Sequence, residues 1–226
     1  MNDIDLVIFD MAGTTIVDAG HVPEAFSTAL GAHGIEVTDE ALRAVRGASK
    51  RDAIRHFVER QLPGDAKEVN TRTEKIFAAF REHLAGKYTE SGVSSIAGAA
   101  ETFAWLRSRK IKLALNTGFD RAITTLLLHA IGWDKDTVHT VICGDDVPQG
   151  RPAPYLIFRA MESTGIIDVH QVANVGDTAL DLQAGWNAGI RWNIGVLSGA
   201  HKKEHLEKAP HTHLIPSVAA LPDLWK

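Results

Sequence analysis

The sequence predicts an α/β protein with a parallel-sheet core and an all-helical cap. The apolar run at residues 6–9 ends at Asp10, as expected of a strand that is buried on both faces. Residues 98–215 then alternate short apolar runs with helical periodicity, which predicts right-handed crossovers and a parallel sheet covered on both sides. Between residues 17 and 90 the periodicity is helical only. We therefore expect a Rossmann-like, doubly wound core of residues 1–17 and 91–226, with a helical cap of residues 18–90.

Four helices are predicted in the inserted segment, at residues 23–33, 38–47, 49–62 and 65–87. Thr38 and Ser49 are suited to begin helices because a hydroxyl at that position accepts a backbone N–H. Gly34, and later Pro63 with Gly64, are typical of helix ends. Hinges between cap and core are expected near residues 16–20 and 88–97, at Gly20 and Gly92.

The core elements follow in strict alternation. Strands are predicted at residues 111–115, 138–143, 172–175 and 190–196, with an edge strand at 213–215. Helices are predicted at residues 99–109, 120–131, 154–164 and 180–188. This order is that of a doubly wound sheet.

Composition excludes several classes of protein. Hydrophobic residues make up 45% of the 226 residues and charged residues 23%, as in ordinary soluble proteins. The net charge of −4 gives no basic footprint for nucleic acid or a membrane surface, and no apolar run approaches the roughly 18 residues of a membrane span. Cys143, the single cysteine, is expected in the core. No secretory signal is visible, so we expect a cytoplasmic protein.

Polar residues stand at or after the ends of the predicted strands: Asp10, Thr117, Arg151, and Asp177 with Asp181. In an open parallel sheet these positions converge on one crevice. A carboxylate nucleophile, a hydroxyl, a fixed cation and further carboxylates suit a phosphoryl group with Mg²⁺. Arg151 and Thr117 would donate to phosphoryl oxygens, and Asp10 would form a covalent aspartyl-phosphate.

The order Asp10…Thr117…Arg151…Gly176-Asp177-x-x-x-Asp181 resembles the haloacid dehalogenase superfamily of aspartate-nucleophile phosphohydrolases, over the whole chain. The resemblance implies Mg²⁺ as cofactor, a small-molecule substrate and, through the helical cap, a homodimer. It also implies these site residues: Asp10 as nucleophile and metal ligand, the Ala12 carbonyl and Asp177 as metal ligands, Asp181 in support of the metal site, and Thr117, Gly118 and Arg151 as phosphate ligands.

Ala12 departs from the pattern of the superfamily's phosphatases, which carry there a second aspartate that protonates the leaving group. An alanine cannot supply that proton, so the enzyme is inactive or slow, or its leaving group departs in another way. The stretch from Asp10 to Thr15, and Arg151-Pro152, resemble the phosphonatase (phosphonoacetaldehyde hydrolase) branch, in which alanine is normal. That branch cleaves a carbon–phosphorus bond after a cap lysine has condensed with the substrate aldehyde.

Lys50 is the candidate for that lysine. It lies in the first turn of the third predicted helix, where the helix dipole and the neighbouring Arg46 and Arg51 would lower its pKa. The alternative is a solvated lysine at a helix start.

Two residues depart from the phosphonatase pattern. Ala53 replaces a histidine and Phe119 replaces a tyrosine, so the substrate is not defined by the sequence. His56 is a candidate substitute for the missing histidine, with an exposed helix histidine as the alternative. His21, close to the first hinge, is a candidate to face the site, with a loop histidine as the alternative. His201, His205, His211 and His213 are expected to be surface residues rather than a metal cluster.

The sequence therefore predicts a Mg²⁺-dependent hydrolase that cleaves the C–P bond of phosphonoacetaldehyde or a related small phosphonate. One alternative is a phosphatase of small phosphate esters. The other is a non-hydrolytic binding or regulatory protein that has kept the pocket. The intact set of Asp10, Asp177, Asp181 and Arg151 opposes this alternative.

Overall fold

The computed structural model describes residues 4–225. Residues 1–3 and 226, which belong to the predicted core ranges, lie outside the described residues. The described residues contain a six-stranded, fully parallel sheet in the order β3-β2-β1-β4-β5-β6. This is the doubly wound order that the sequence predicts. The strands are β1 (Leu6–Asp10), β2 (Lys112–Asn116), β3 (Thr140–Ile142), β4 (Val172–Gly176), β5 (Trp192–Val196) and β6 (His213–Ile215).

Helices connect these strands. Four lie between β1 and β2 as an insert: α1 (His21–Gly31), α2 (Asp39–Ala44), α3 (Lys50–Gln61) and α4 (Ala66–Ser91). The others are α5 (Ala99–Ser108), α6 (Arg121–Ile131), α7 (Tyr155–Thr164), α8 (Ala179–Ala188) and α9 (Lys203–Leu206), with 3₁₀ turns at Val169–Gln171 and Val218–Leu224. No helix in residues 4–225 is both long enough and apolar enough to cross a membrane.

Strand β1 is buried on both faces, as predicted. Val7 and Phe9 belong to one hydrophobic cluster, and Leu6 and Ile8 belong to a second. Successive side chains of a strand point to opposite sides, so the two clusters are the two faces of the sheet. This burial fixes the position of the residue that ends β1, Asp10.

The insert packs mainly through α4, against which α1 and α3 lie. The rings of Phe26 and Phe80 are 4.6 Å apart in this contact. Thr38 and Ser49 cap α2 and α3 as predicted. Helix α4 continues to Ser91, beyond the predicted end at residue 87. Gly92 follows it with a φ of 74°, a conformation that glycine adopts without strain.

Candidate active site

The predicted site residues meet at the carboxyl edge of the sheet. Asp10 ends β1, Thr117 and Gly118 follow β2, Asp177 follows β4, and Arg151 comes from the loop after β3. One cavity is lined by residues of this edge and of the insert: Asp10, Ala12, Asp18, Val22, Pro23, Phe26, Leu42, Val45, Arg46, Gly47, Lys50, Thr117, Gly118, Phe119, Arg151, Asp177, Thr178 and Ala200.

Arg151 is the buried cation at the centre of the site. Its Nη1 atom lies 2.8 Å from Asp10 Oδ1 and 2.9 Å from Asp181 Oδ1. It also donates to the carbonyls of Asn116 and Gly47, each at 3.2 Å. These donors orient the carboxylate of Asp10 and join the insert to the core. Binding of phosphoryl oxygens by Arg151 stays a prediction.

Asp181 is positioned by the start of α8. Its Oδ2 accepts hydrogen bonds from the backbone N–H of Thr178 at 3.0 Å and from the Thr178 hydroxyl, in a capping box. The other oxygen faces Arg151. Asp181 therefore positions Arg151, which in turn positions Asp10.

Asp177 is fully buried and accepts hydrogen bonds on both oxygens. Thr14 Oγ1 donates to Oδ1 at 2.9 Å, and the Ala200 N–H donates to Oδ2 at 2.6 Å. A Cβ at Gly13 (φ +93°) would lie 2.5 Å from Oδ2, so only glycine allows this close approach. Sequence reasoning missed Thr14 and Ala200, although Thr14 lies within the first motif.

Burial raises the pKa of the Asp10 carboxyl from 3.8 to about 6, and Arg151 opposes part of the rise. Burial, with the carboxylates of Asp10 and Asp181, also raises the pKa of Asp177 well above its ordinary value. Three buried carboxylates around one guanidinium leave an excess of negative charge. Hard oxygen donors with such an excess fit a divalent cation such as Mg²⁺, which Asp10 and Asp177 would hold.

Lys50 is brought into this cavity by the insert. Lys50 is only 8% exposed; its Nζ donates to the Ala48 carbonyl at 3.2 Å and lies 5.1 Å from the centre of the Phe119 ring. Its backbone N–H donates to the Gly118 carbonyl at 3.0 Å, which fixes the start of α3 against the core. Lys50 is therefore not the solvated lysine of the alternative interpretation.

The pKa of Lys50 is lowered, as expected, but for another reason. Burial disfavours the ammonium form, and the carboxylate of Asp10 offsets part of this effect. Arg51, which we expected to contribute, turns outward to a salt bridge with Glu74, and Arg46 pairs with Asp18 at 3.7 Å.

The candidate histidines lie away from the cavity lining. His56 is exposed beside the ring of Phe57, and His21 packs edge-on against Tyr88. His205 and His211 are exposed as expected, but His201 and His213 are half-buried. His201 Nδ1 accepts the Ala179 N–H at 3.0 Å, a contact for which the sequence contains no signal.

A second acidic cluster serves a structural purpose. Ligand atoms of Cys143, Asp145 and Asp146 lie within 4.8 Å of one another. Asp145 accepts the Arg121 N–H at the start of α6, and Asp146 accepts the Cys143 N–H at 2.7 Å. These bonds tie the loop after β3 to α6. Burial raises the pKa of the Cys143 thiol to about 11, as expected for a core cysteine.

Comparisons with known proteins agree with this geometry. Residues 4–189 match the family model described as haloacid dehalogenase-like hydrolase. A phosphonoacetaldehyde hydrolase from Bacillus cereus is 31% identical over 212 residues, covering 87% of this chain and 77% of the relative.

Solved structures share the fold. A hydrolase from Pseudomonas syringae superposes with a TM-score of 0.85 at 21% identity, covering 97% of both chains. A phosphonoacetaldehyde hydrolase-like protein from Oleispira antarctica gives a TM-score of 0.83 at 22% identity, covering 98% of this chain and 91% of the other. The chain belongs to the haloacid dehalogenase-like hydrolases, in their phosphonatase-like branch.

Proposed function

We propose that this hydrolase cleaves the carbon–phosphorus bond of phosphonoacetaldehyde or a close relative. The observation that carries the proposal is the buried amine of Lys50, which lines the same cavity as the carboxylate of Asp10. Ala12 lines that cavity too, where a phosphatase of this superfamily would carry its acid. A C–P bond needs an electron sink on carbon, and an imine on Lys50 supplies one.

In the proposed reaction the neutral amine of Lys50 condenses with the substrate aldehyde and releases water. Asp10, held by Arg151, attacks phosphorus as a carboxylate. The C–P electron pair moves into the protonated imine, which becomes an enamine, and Asp10 becomes an aspartyl-phosphate. Water then hydrolyses both adducts, releasing phosphate and acetaldehyde.

The donors for the phosphoryl group come from the loop after β2. The Thr117 hydroxyl accepts the Phe119 N–H at 3.2 Å, which leaves its own proton free to donate. Asp10, the Ala12 carbonyl and Asp177 would hold Mg²⁺. A bound Mg²⁺ supplies positive charge for the phosphoryl oxygens during transfer.

We also propose that residues 18–90 move as a cap. Gly20 and Gly92, at its two ends, have φ angles of 87° and 74°. The contacts between Lys50 and Gly118 and between Arg151 and Gly47 correspond to a closed arrangement, which excludes water from the site. The homodimer remains a prediction from the family resemblance.

The direct test is release of phosphate and acetaldehyde from phosphonoacetaldehyde. Wild type should release both in equal amounts, and Lys50→Ala should release neither above background. Lys75→Ala, which removes an exposed lysine of α4, is the matched control and should behave as wild type.

Two departures from the phosphonatase pattern favour the phosphatase alternative. Ala53 and Phe119 are buried close to Lys50, where that branch carries a histidine and a tyrosine, and neither residue can give a proton. Phosphate release from small phosphate esters that survives Lys50→Ala, without acetaldehyde from the phosphonate, would establish that alternative and overturn the proposal.

A further inference from the structure

Imine formation at Lys50, on which the proposed function depends, requires a group that moves protons. The attacking nitrogen must lose a proton, and the departing hydroxyl must gain one. Neither Ala53 nor Phe119, which replace a histidine and a tyrosine of the family, can do this. His56 is exposed and His21 packs against Tyr88. The protons must therefore move through another group.

Asp18 is a carboxylate on the wall of the same cavity. Among residues 4–225 the cavity is lined by three carboxylates. Asp10 is paired with Arg151, and Asp177 accepts two hydrogen bonds. Asp18 is the third, in the segment that joins β1 to α1.

The surroundings of Asp18 fix its position on the wall of the cavity that Lys50 also lines. Its side chain is 14% exposed; Oδ1 accepts the Gly20 N–H at 3.1 Å, and Oδ2 lies 3.7 Å from Arg46 Nη1. The charge of Asp18 raises the pKa of Lys50, against the larger lowering by burial, and also raises that of Tyr88. Arg46 therefore pairs with Asp18, and Lys50 and Tyr88 are ionisable groups near enough to feel its charge.

We propose that Asp18 transfers the proton during imine formation at Lys50. The amine nitrogen forms a bond to the aldehyde carbon, and the alkoxide oxygen takes a proton from solvent. The Asp18 carboxylate accepts one proton from the nitrogen and then gives it to the carbinolamine hydroxyl. The C–O bond breaks, water leaves with that proton, and the nitrogen lone pair forms the protonated imine. Asp18 is again a carboxylate.

A structural role for Asp18 can be separated from this one. The hydrogen bond from Gly20 closes a local turn that an asparagine oxygen would also close. Asp18→Asn therefore keeps the turn and removes the proton-transfer group. Loss of the Asp18 charge lowers the pKa of Lys50 and leaves more neutral amine, so electrostatics alone predicts that the variant forms the imine faster.

The experiment measures borohydride trapping of phosphonoacetaldehyde on Lys50 by mass spectrometry, in EDTA so that the result is independent of metal. Wild type should form the adduct, and Asp18→Asn should form it about 100-fold more slowly, within the range of general acid–base catalysis. Asp52→Asn removes an exposed charge on the same helix as Lys50 and should react at the wild-type rate. Asp18→Ala should be slow, and added formate should restore its rate.

The outcomes separate the two proposals. Trapping of wild type together with Asp18→Asn at an equal or higher rate would overturn the role of Asp18 and leave the proposed function standing. Slow Asp18→Ala that formate does not restore would also overturn it. If wild type forms no adduct, the proposed function fails, and the role of Asp18 fails with it.

Discussion

The core half and the insert half of the site are held together in different ways. In the core, Asp10, Asp177 and Asp181 stand at or just beyond strand ends, and each is held by side-chain hydrogen bonds or buried ion pairs. In the insert, Lys50 is held by its own backbone and by a neighbouring carbonyl. The core half is thus a fixed frame of carboxylates around one guanidinium, whereas the position of the amine depends on how the insert meets the core.

The largest effects should come from removing the reactive group of one half at a time and measuring phosphate release and imine trapping. Asp10→Asn removes the proposed nucleophile and should lower phosphate release on the order of 10⁴-fold or more, because an amide is a much poorer phosphoryl acceptor than a carboxylate. It should still form the borohydride-trapped adduct on Lys50. Lys50→Ala should abolish both signals. An Asp10→Asn protein that no longer forms the adduct would show that the two halves do not act separately.

A second effect concerns the stability of the core half without metal. The folded pKa of Asp10 is raised from 3.8 to about 6, so the folded state binds its proton more tightly than the unfolded state does. The resulting stabilisation is present below pH 3.8 and is lost as pH rises through 6. At about 1.4 kcal/mol per pKa unit the loss is roughly 3 kcal/mol.

Denaturant unfolding in EDTA between pH 4 and 8 measures this loss. Relative to wild type, Asp10→Asn should become more stable as pH rises across that window, and Asp52→Asn should not. A difference between Asp10→Asn and wild type that is independent of pH would contradict the raised pKa.

The contact between the halves is tested at Gly118. A Cβ there would collide with the Ala48 carbonyl, next to the bond from the Lys50 N–H to Gly118. Gly118→Ala should displace the start of α3 and lower kcat/KM about 100-fold, as a small misplacement of a reacting group can. Gly86→Ala on α4 meets nothing within 4 Å and should instead stabilise the protein by about 0.5–1 kcal/mol. Wild-type kcat/KM in Gly118→Ala would show that closure tolerates this displacement.

The two halves also differ in how far the sequence predicts them. The fold class is confirmed because apolar periodicity reports which faces are buried. Asp10 and Asp177 line one cavity, as expected, because the ends of parallel strands converge. The partners of Arg151 were not predicted, since Asn116 and Gly47 are remote in sequence and carry no signal of contact. For Lys50 the lowered pKa was expected, but its main cause is burial between insert and core, which periodicity within one helix cannot reveal.

The smallest effect is expected from removing the side-chain caps of α3 and α2. Ser49 caps α3 by accepting the Asp52 N–H, and Thr38 caps α2 by accepting the Ala41 N–H at 3.2 Å. Replacing either cap by alanine should cost about 1 kcal/mol in the free energy of unfolding. Because α3 begins with Lys50, Ser49→Ala should also slow borohydride trapping, whereas Thr38→Ala should leave its rate unchanged. Equal trapping rates in the two variants would mean that backbone contacts with Gly118 alone position the amine, and that the cap contributes only to stability.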